Sequence, residues 1–476
     1  MNAIATRRIQ DLPGPPGIPV FGNSFQVKPS HVHQDIERWA DTYGPLFRVR
    51  LGRRQQLVVS DHALLSAVMR DRPDGFERSP LTRVTGAEMG LPAGLFSAEG
   101  EDWQRQRRMV MASFAPGHVR GYFPSLVKVA LRLRGRWQKA ARSGEAINLQ
   151  ADLMRFTVDA IAGLAFGRDI NTLESGEDVI QRHLDKVLPA IFRRAFSLIP
   201  YWRYFKLPVD RALDRSVQVI RDTLHDFVVQ ARQRLKDDPA PGGQPRNLLE
   251  AMILAADQPG SGLGDQQVVG NVLTMLLAGE DTTANTLAWM LDLLQRNPQA
   301  LQRAKAEVRS LAPDPAAFTS ELMDQLVYLD ACASETMRLK PVAPFIVLHA
   351  LRDTVLADVA VPAGTMIWGV MRHDSLDARH FADPLAFRPE RWLPQTEPAL
   401  TSAAKRAAMP FGSGPRMCPG RYLALLEMKL AMAMLLASFD IVSVDTPDGL
   451  PARERMAFTM NPVGLTMRLR ERVAAA

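Results

Sequence analysis

The chain of 476 residues is 46% hydrophobic with a formal net charge of +7, enough apolar material for one large layered domain or for roughly two to four average ones. It has two cysteines, Cys332 and Cys418, and nine histidines, with no paired-cysteine or HExxH spacing, which excludes a four-cysteine zinc site and argues against a disulfide scaffold. The positive charge is dispersed without a nucleic-acid motif, so no nucleic-acid binding is expected; an acidic protein partner on a local basic patch makes better use of it.

Along the chain, Met1 to Asp11 carries Arg7 and Arg8 but no apolar run suited to a signal peptide or a spanning helix, which predicts a cytoplasmic protein. Residues 1–22 are expected to form an extended Pro-rich lead-in, because the prolines and glycines from Leu12 to Pro19 remove donors and resist helix ordering. From Leu46 to Ser60, apolar and polar residues alternate around a Gly-Arg-Arg turn, the pattern of a hairpin. Helical periodicity then dominates, over about 102–142, 151–166, 178–199, 209–236 and 265–296. Turns are expected at Pro239–Gly243 and Gly260–Gly262, and a second β signal, Thr354 to Val370, is broken by Pro362-Ala363-Gly364. With no internal repeat, the expectation is a single domain over 1–476, mainly α with a minor β lobe.

Several stretches carry chemistry. Trp103 and Arg107 stand four apart, so an indole N–H and a guanidinium share one helix face and suit a carboxylate. The stretch Asp265 to Asn297, on the order of 50 Å long as a helix, is apolar nearly all round through Val268 to Ala278, as befits a rod crossing an interior. Within it, Ala278-Gly279-Glu280-Asp281-Thr282-Thr283 puts acids and hydroxyls where burial is costly, and Gly279 with Thr282 suggests a local kink or bulge. Glu335 and Arg338 lie i,i+3 on one helix face. Cys332 reads as the inside of that helix, a core thiol. Finally, Pro410-Phe411-Gly412-Ser413-Gly414-Pro415-Arg416-Met417-Cys418-Pro419-Gly420 precedes an apolar helical run from Leu423 to Leu436, so Cys418 sits at a helix N-terminus whose dipole and N–H groups favour a thiolate. Its glycines let backbone approach a large flat ligand.

That cysteine stretch resembles the Phe-x-x-Gly-x-Arg-x-Cys-x-Gly signature of the cytochrome P-450 family and matches every fixed position. The resemblance implies that Cys418 is the axial thiolate, and metal ligand, of haem b, with Phe411 packed beside the sulfur. It implies the family's triangular, α-rich prism around a buried haem. The run around Gly279 resembles the family's distal motif, which makes Asp281 and Thr282 an acid–alcohol pair that relays protons during oxygen activation, with Glu280 in the variable place. Glu335 and Arg338 resemble the Glu-x-x-Arg helix, and Phe387-Arg388-Pro389-Glu390-Arg391-Trp392 the later Pro-Glu-Arg-Phe element, with Trp392 in the phenylalanine position; Glu335, Arg338 and Arg391 would interlock structurally. Trp103, Arg107, Arg416 and His349 would hold the haem propionates.

The resemblance further implies a monooxygenase that hydroxylates or epoxidises a small lipophilic substrate such as a fatty acid, terpenoid or polyketide-like compound. Its pocket would be lined by Met275, Ala278, Phe345, Val347 and Phe458. No flavin or ferredoxin sequence accompanies these motifs, so electrons are expected from a separate ferredoxin- or flavodoxin-type donor with its reductase, for which Arg105 and Arg108 offer one contact. Residues 191–206 mix aromatics with arginines as a lid, with at most peripheral membrane contact. Two alternatives are a peroxide-using haem-thiolate enzyme, against which Asp281-Thr282 argues, and a non-catalytic haem sensor, for which no output domain is visible.

Overall fold

A computed structural model describes residues 7–167, 170–174, 181–197, 199–238, 245–394 and 400–472. The apolar rod is a continuous helix, Asp265–Arg296, ended by Asn297 and Pro298. It is buried from Val268 through Leu294 on most of its faces and packs most extensively along helix Leu149–Phe166. Gly279 is the contact point: a Cβ there would lie 2.6 Å from Ile161 Cδ1. The helix runs through Gly279 without the expected bulge. Gly279 serves close helix packing, and the ladder runs through it unbroken.

Around this pair stand helices Phe123–Ser143, Pro208–Asp237, Pro298–Leu311, Val327–Leu339 and Arg421–Ser438. Their inward faces merge into one apolar core. Local chemistry sets several ends: Asn148 and Asn247 accept the N–H groups of Ala151 and Glu250, and Gly144 and Gly167 close helices in the left-handed conformation. The run expected as helix over 102–142 is broken into Gly100–Ser113, Pro116–Gly121 and Phe123–Ser143. Pro116 and Pro124 each open a new helix, since a proline fits only the first turn. The 178–199 expectation resolves into Gln181–Leu184 and Val187–Ala195; 178–180 and 198 lie outside the described residues, as does the Pro239–Gly243 turn.

The minor β lobe holds a five-stranded sheet in the order Leu46–Leu51, Arg54–Val59, Met366–Val370, Phe345–Ala350, Phe76–Arg78. The hairpin turns at Gly52 (φ 58°) and pairs Leu46 with Val59. Its second strand runs parallel to Met366–Val370, with Val58 opposite Trp368. The lead-in is less uniform than expected: Arg7–Arg8 pairs with Val359–Val361, and Ile9–Asp11 is one tight helical turn. Among the described residues no helix is long and apolar enough to cross a membrane.

Candidate active site

Between the central helix and the cysteine loop lies a cavity of about 1650 Å³. Its floor is the loop 410–420. The Cys418 N–H donates to the Phe411 carbonyl at 3.0 Å and the Gly412 N–H to that of Met409 at 3.0 Å, folding the loop into a shelf. Gly414, at φ 73°, lies so close to the helix His62–Arg70 that a Cβ would meet the Met69 carbonyl oxygen at 2.5 Å. Cys418 and Phe411 both line the cavity. Burial pushes the Cys418 thiol up, against the Gly420 N–H and the Arg107 guanidinium, which pull it down. The Gly420 N–H acts in the direction expected of the helix start, and a metal cation at the sulfur would add to it against desolvation.

One rim of the cavity is strongly cationic. Trp103 and Arg107, from helix Gly100–Ser113, both face it. Arg416 lies 4.8 Å over the Trp103 ring and donates to Glu99 Oε1 at 2.8 Å and to the Ala98 carbonyl. His349, on Phe345–Ala350, stands opposite Glu77 across the sheet with Nδ1 3.1 Å from its Oε1. Arg72 and Arg78 join the cluster, and sequence reasoning missed both, as it missed Glu99. Burial pushes Arg78 down to about 9 and Arg416 to about 10, and neighbouring guanidiniums add to the effect. Buried Nε atoms of Arg72, Arg78 and Arg416 have no hydrogen-bond partner among the described residues. Four guanidiniums thus face two carboxylates, Glu77 and Glu99, a surplus of two positive charges in a low-dielectric place. A dianion fits it.

The opposite wall is the central helix, which contributes Met275, Ala278, Gly279 and Thr282. The Thr282 hydroxyl donates to the Ala278 carbonyl at 2.6 Å. Asp281 does not line the cavity. Its carboxyl accepts from Asn285 Nδ2 at 2.8 Å and from the Thr459 hydroxyl, and burial holds its pKa above the usual carboxylate value despite those bonds. Neighbouring helix positions point about 100° apart, so the two members of the expected pair look in different directions. Glu427, from helix Arg421–Ser438, also lines the cavity; burial pushes it up to about 8, with the Thr283 hydroxyl pulling the other way.

Phe345, Val347 and Phe458 complete the apolar lining. Phe458 sits at φ 98°, a strained conformation for an aromatic residue, with its ring 5.8 Å from that of Phe96. The helix Val187–Ala195, which overlaps the segment 191–206 expected as a lid, presents Ile191 and Phe192 to the cavity. Phe196 continues an aromatic chain to Phe345 and Trp368. The lid is fastened twice: Arg194 to Asp210 at 3.1 Å in the interior, and Trp202 Nε1 to Glu88 Oε2 at 2.9 Å.

Away from the cavity, Glu335 and Arg338 form a fully buried bidentate pair at 2.8 Å. Arg391 Nε reaches the same carboxylate at 3.2 Å, and Trp392 Nε1 donates to it at 2.9 Å, a bond that phenylalanine cannot make. Cys332 is buried, and desolvation pushes its thiol far up, as suits a core thiol.

The family model for cytochrome P-450 matches residues 12–469. The chain belongs to the cytochrome P-450 family. It is 28% identical over 473 residues, 97% of its length, to a self-sufficient cytochrome P-450 monooxygenase of Aspergillus terreus. It is 29% identical over 487 residues, 99% of its length, to another of that description from Exserohilum turcicum. In each case the chain spans 43% of the relative's length. The crystal structure of the cytochrome P-450DA heme domain superposes with a TM-score of 0.84 at 24% identity, covering 98% of this chain and 99% of that one. Haem b is the cofactor of cytochromes P-450. The donor set here fits it: one cysteine sulfur for the iron, a glycine-rich shelf, and a rim whose two surplus positive charges match two propionates.

Proposed function

We propose that this cytochrome P-450 is a haem-thiolate monooxygenase that hydroxylates a lipophilic small molecule, such as a fatty acid or terpenoid. The supporting observation is that Cys418 and Thr282 line the same largely apolar cavity. Haem b, when bound, supplies oxygen activation and C–H oxidation, chemistry that no side chain here performs. Cys418 would give the iron its sulfur ligand. Arg72, Arg78, Arg107 and Arg416, with Trp103 and His349, would hold the propionates. Met275, Ala278, Phe345, Val347 and Phe458 exclude water and orient the substrate by shape.

Thr282 holds a proton on its hydroxyl at the cavity wall. Asp281 stands behind it as the acid of the pair, its carboxyl raised by burial against the Thr459 and Asn285 bonds that lower it. Passage between them needs Asp281 to leave Thr459, a side-chain rotation with the helix unchanged. Electrons come from a ferredoxin- or flavodoxin-type donor with its reductase, for which Arg105 and Arg108 offer a contact.

The ferrous-carbonyl spectrum of the protein tests the ligand: a thiolate-shifted Soret band is expected, and its absence would sink the assignment. A spin-shift screen with fatty acids, terpenoids and polyketide-like compounds then ranks substrates, and turnover with each donor type identifies the electron source. In Thr282→Ala, a several-fold larger share of the electrons should emerge as hydrogen peroxide; unchanged product per electron would remove the proton role.

A further inference from the structure

Three of the nine histidines gather around one buried carboxylate, far from the cysteine loop in sequence. Asp374 is 3% exposed. Its Oδ2 accepts the His62 backbone N–H at 2.8 Å and faces His62 Nδ1 at 2.7 Å, and His380 Nε2 stands 3.8 Å from the same oxygen. The His62 and His380 rings meet edge to face with centroids 4.8 Å apart. His373 completes an outer layer, with Nδ1 3.3 Å from Asp374 Oδ1 and Nε2 3.0 Å from Asp41.

We propose that His62, Asp374 and His380 form a binding site for a divalent transition-metal ion with the preferences of zinc, separate from the cofactor cavity. Two imidazoles and one carboxylate are the donor set for zinc, whereas magnesium and calcium take oxygen ligands. The three ligand atoms lie within 4.8 Å of one another. Tetrahedral bonds of about 2.0–2.2 Å set ligand atoms about 3.4 Å apart, so the ion would open the 2.7 Å contact of His62 with Asp374 and draw His380 in from 3.8 Å. The outer contacts of His373 and Arg379 fall on Oδ1, so Oδ2, which accepts the His62 backbone N–H, keeps its second lone pair for the ion. The His62 and His380 side chains are 13% and 19% exposed, which gives access from solvent and a fourth position for water.

The place in the fold adds meaning. None of the three residues lines the cavity, yet His62 opens the helix His62–Arg70, whose Ser66 hydroxyl lies 3.1 Å from that of Ser413 in the cysteine loop. An ion there braces the helix that backs the loop.

The test is calorimetric titration of the untagged, cofactor-loaded chain with zinc chloride after EDTA treatment, on the parent, His380→Ala, His380→Gln and His62→Ala. One zinc ion per chain is expected, bound at least tenfold more weakly in each variant. Zinc should raise the melting temperature of the parent and not of His380→Gln, whose zinc-free melt reports whether it folds like the parent. An unchanged cofactor spectrum keeps the ion away from Cys418. No binding, or binding of equal affinity in His380→Gln and His62→Ala, overturns the site; equal competition by magnesium overturns its ligand class.

Discussion

Glu427 shows most sharply how surroundings rewrite a single side chain. Its folded pKa of about 8 stands above the unfolded value, so its contribution to stability is present at acidic pH and is lost as pH rises through 8. Above that, the chain buries a charge at a cost on the order of a few kcal/mol. Glu427→Gln should therefore flatten the fall in stability between pH 6 and 9, measured by urea denaturation across that range; an unchanged slope would place the titration elsewhere. At this scale legibility followed spacing. Phe411, Arg416 and Cys418 sit in one short run, so their relation is visible in the letters, as is that of Trp103 to Arg107. Arg72, Arg78, Glu99 and Glu427 were not visible, because each acquires its role from a partner brought near only by the fold. Asp281 and Thr282 were found, but their divergent directions were not, since adjacency in sequence hides the turn of the helix.

Among the elements, the central helix was read with its bounds intact, because an apolar run closed by Asn297-Pro298 leaves little freedom. What periodicity cannot report is how closely another segment crosses it. Gly270 and Gly94 meet face to face: a Cβ on Gly270 would stand 2.2 Å from the Ala93 carbonyl oxygen, and one on Gly94 would stand 2.2 Å from that of Gly270. At Gly270 backbone, not a movable side chain, is in the way. Gly270→Ala should cost about 1–3 kcal/mol despite the better helix propensity of alanine, read as a lower denaturation midpoint; a stabilised variant would show that the crossing is loose. The lid makes the opposite case. It is held at its tip through Glu88, whose bonds to Trp202 and Arg203 outweigh its partial burial and keep its carboxyl below the usual range. Glu88→Ala should speed amide exchange several-fold in Val187–Ala195 and leave the central helix unaffected; equal exchange in both proteins would mean that Asp210 alone fastens it.

For the molecule as a whole, the α-rich class with a minor β lobe could be read from the order of periodic stretches, but the partners within the lobe could not. Strand pairing is a choice among distant segments, and nothing in Arg54–Val59 names Met366–Val370 as its neighbour. That parallel pairing has a consequence for biosynthesis. The hairpin strand, with Leu57, Val58 and Val59 wholly buried in the finished protein, leaves the ribosome long before residues 366–370 are made. At about 5–20 residues per second the wait is on the order of 15–60 s, during which an apolar strand edge is open to any other chain. Ribosome-bound chains stalled before residue 345 should be cut by protease within 54–59 and retained by chaperones, and chains stalled well beyond 370 should be protected. The protein's yield in a cell would then be governed by the traffic of translation and chaperone supply as much as by the stability of its final form.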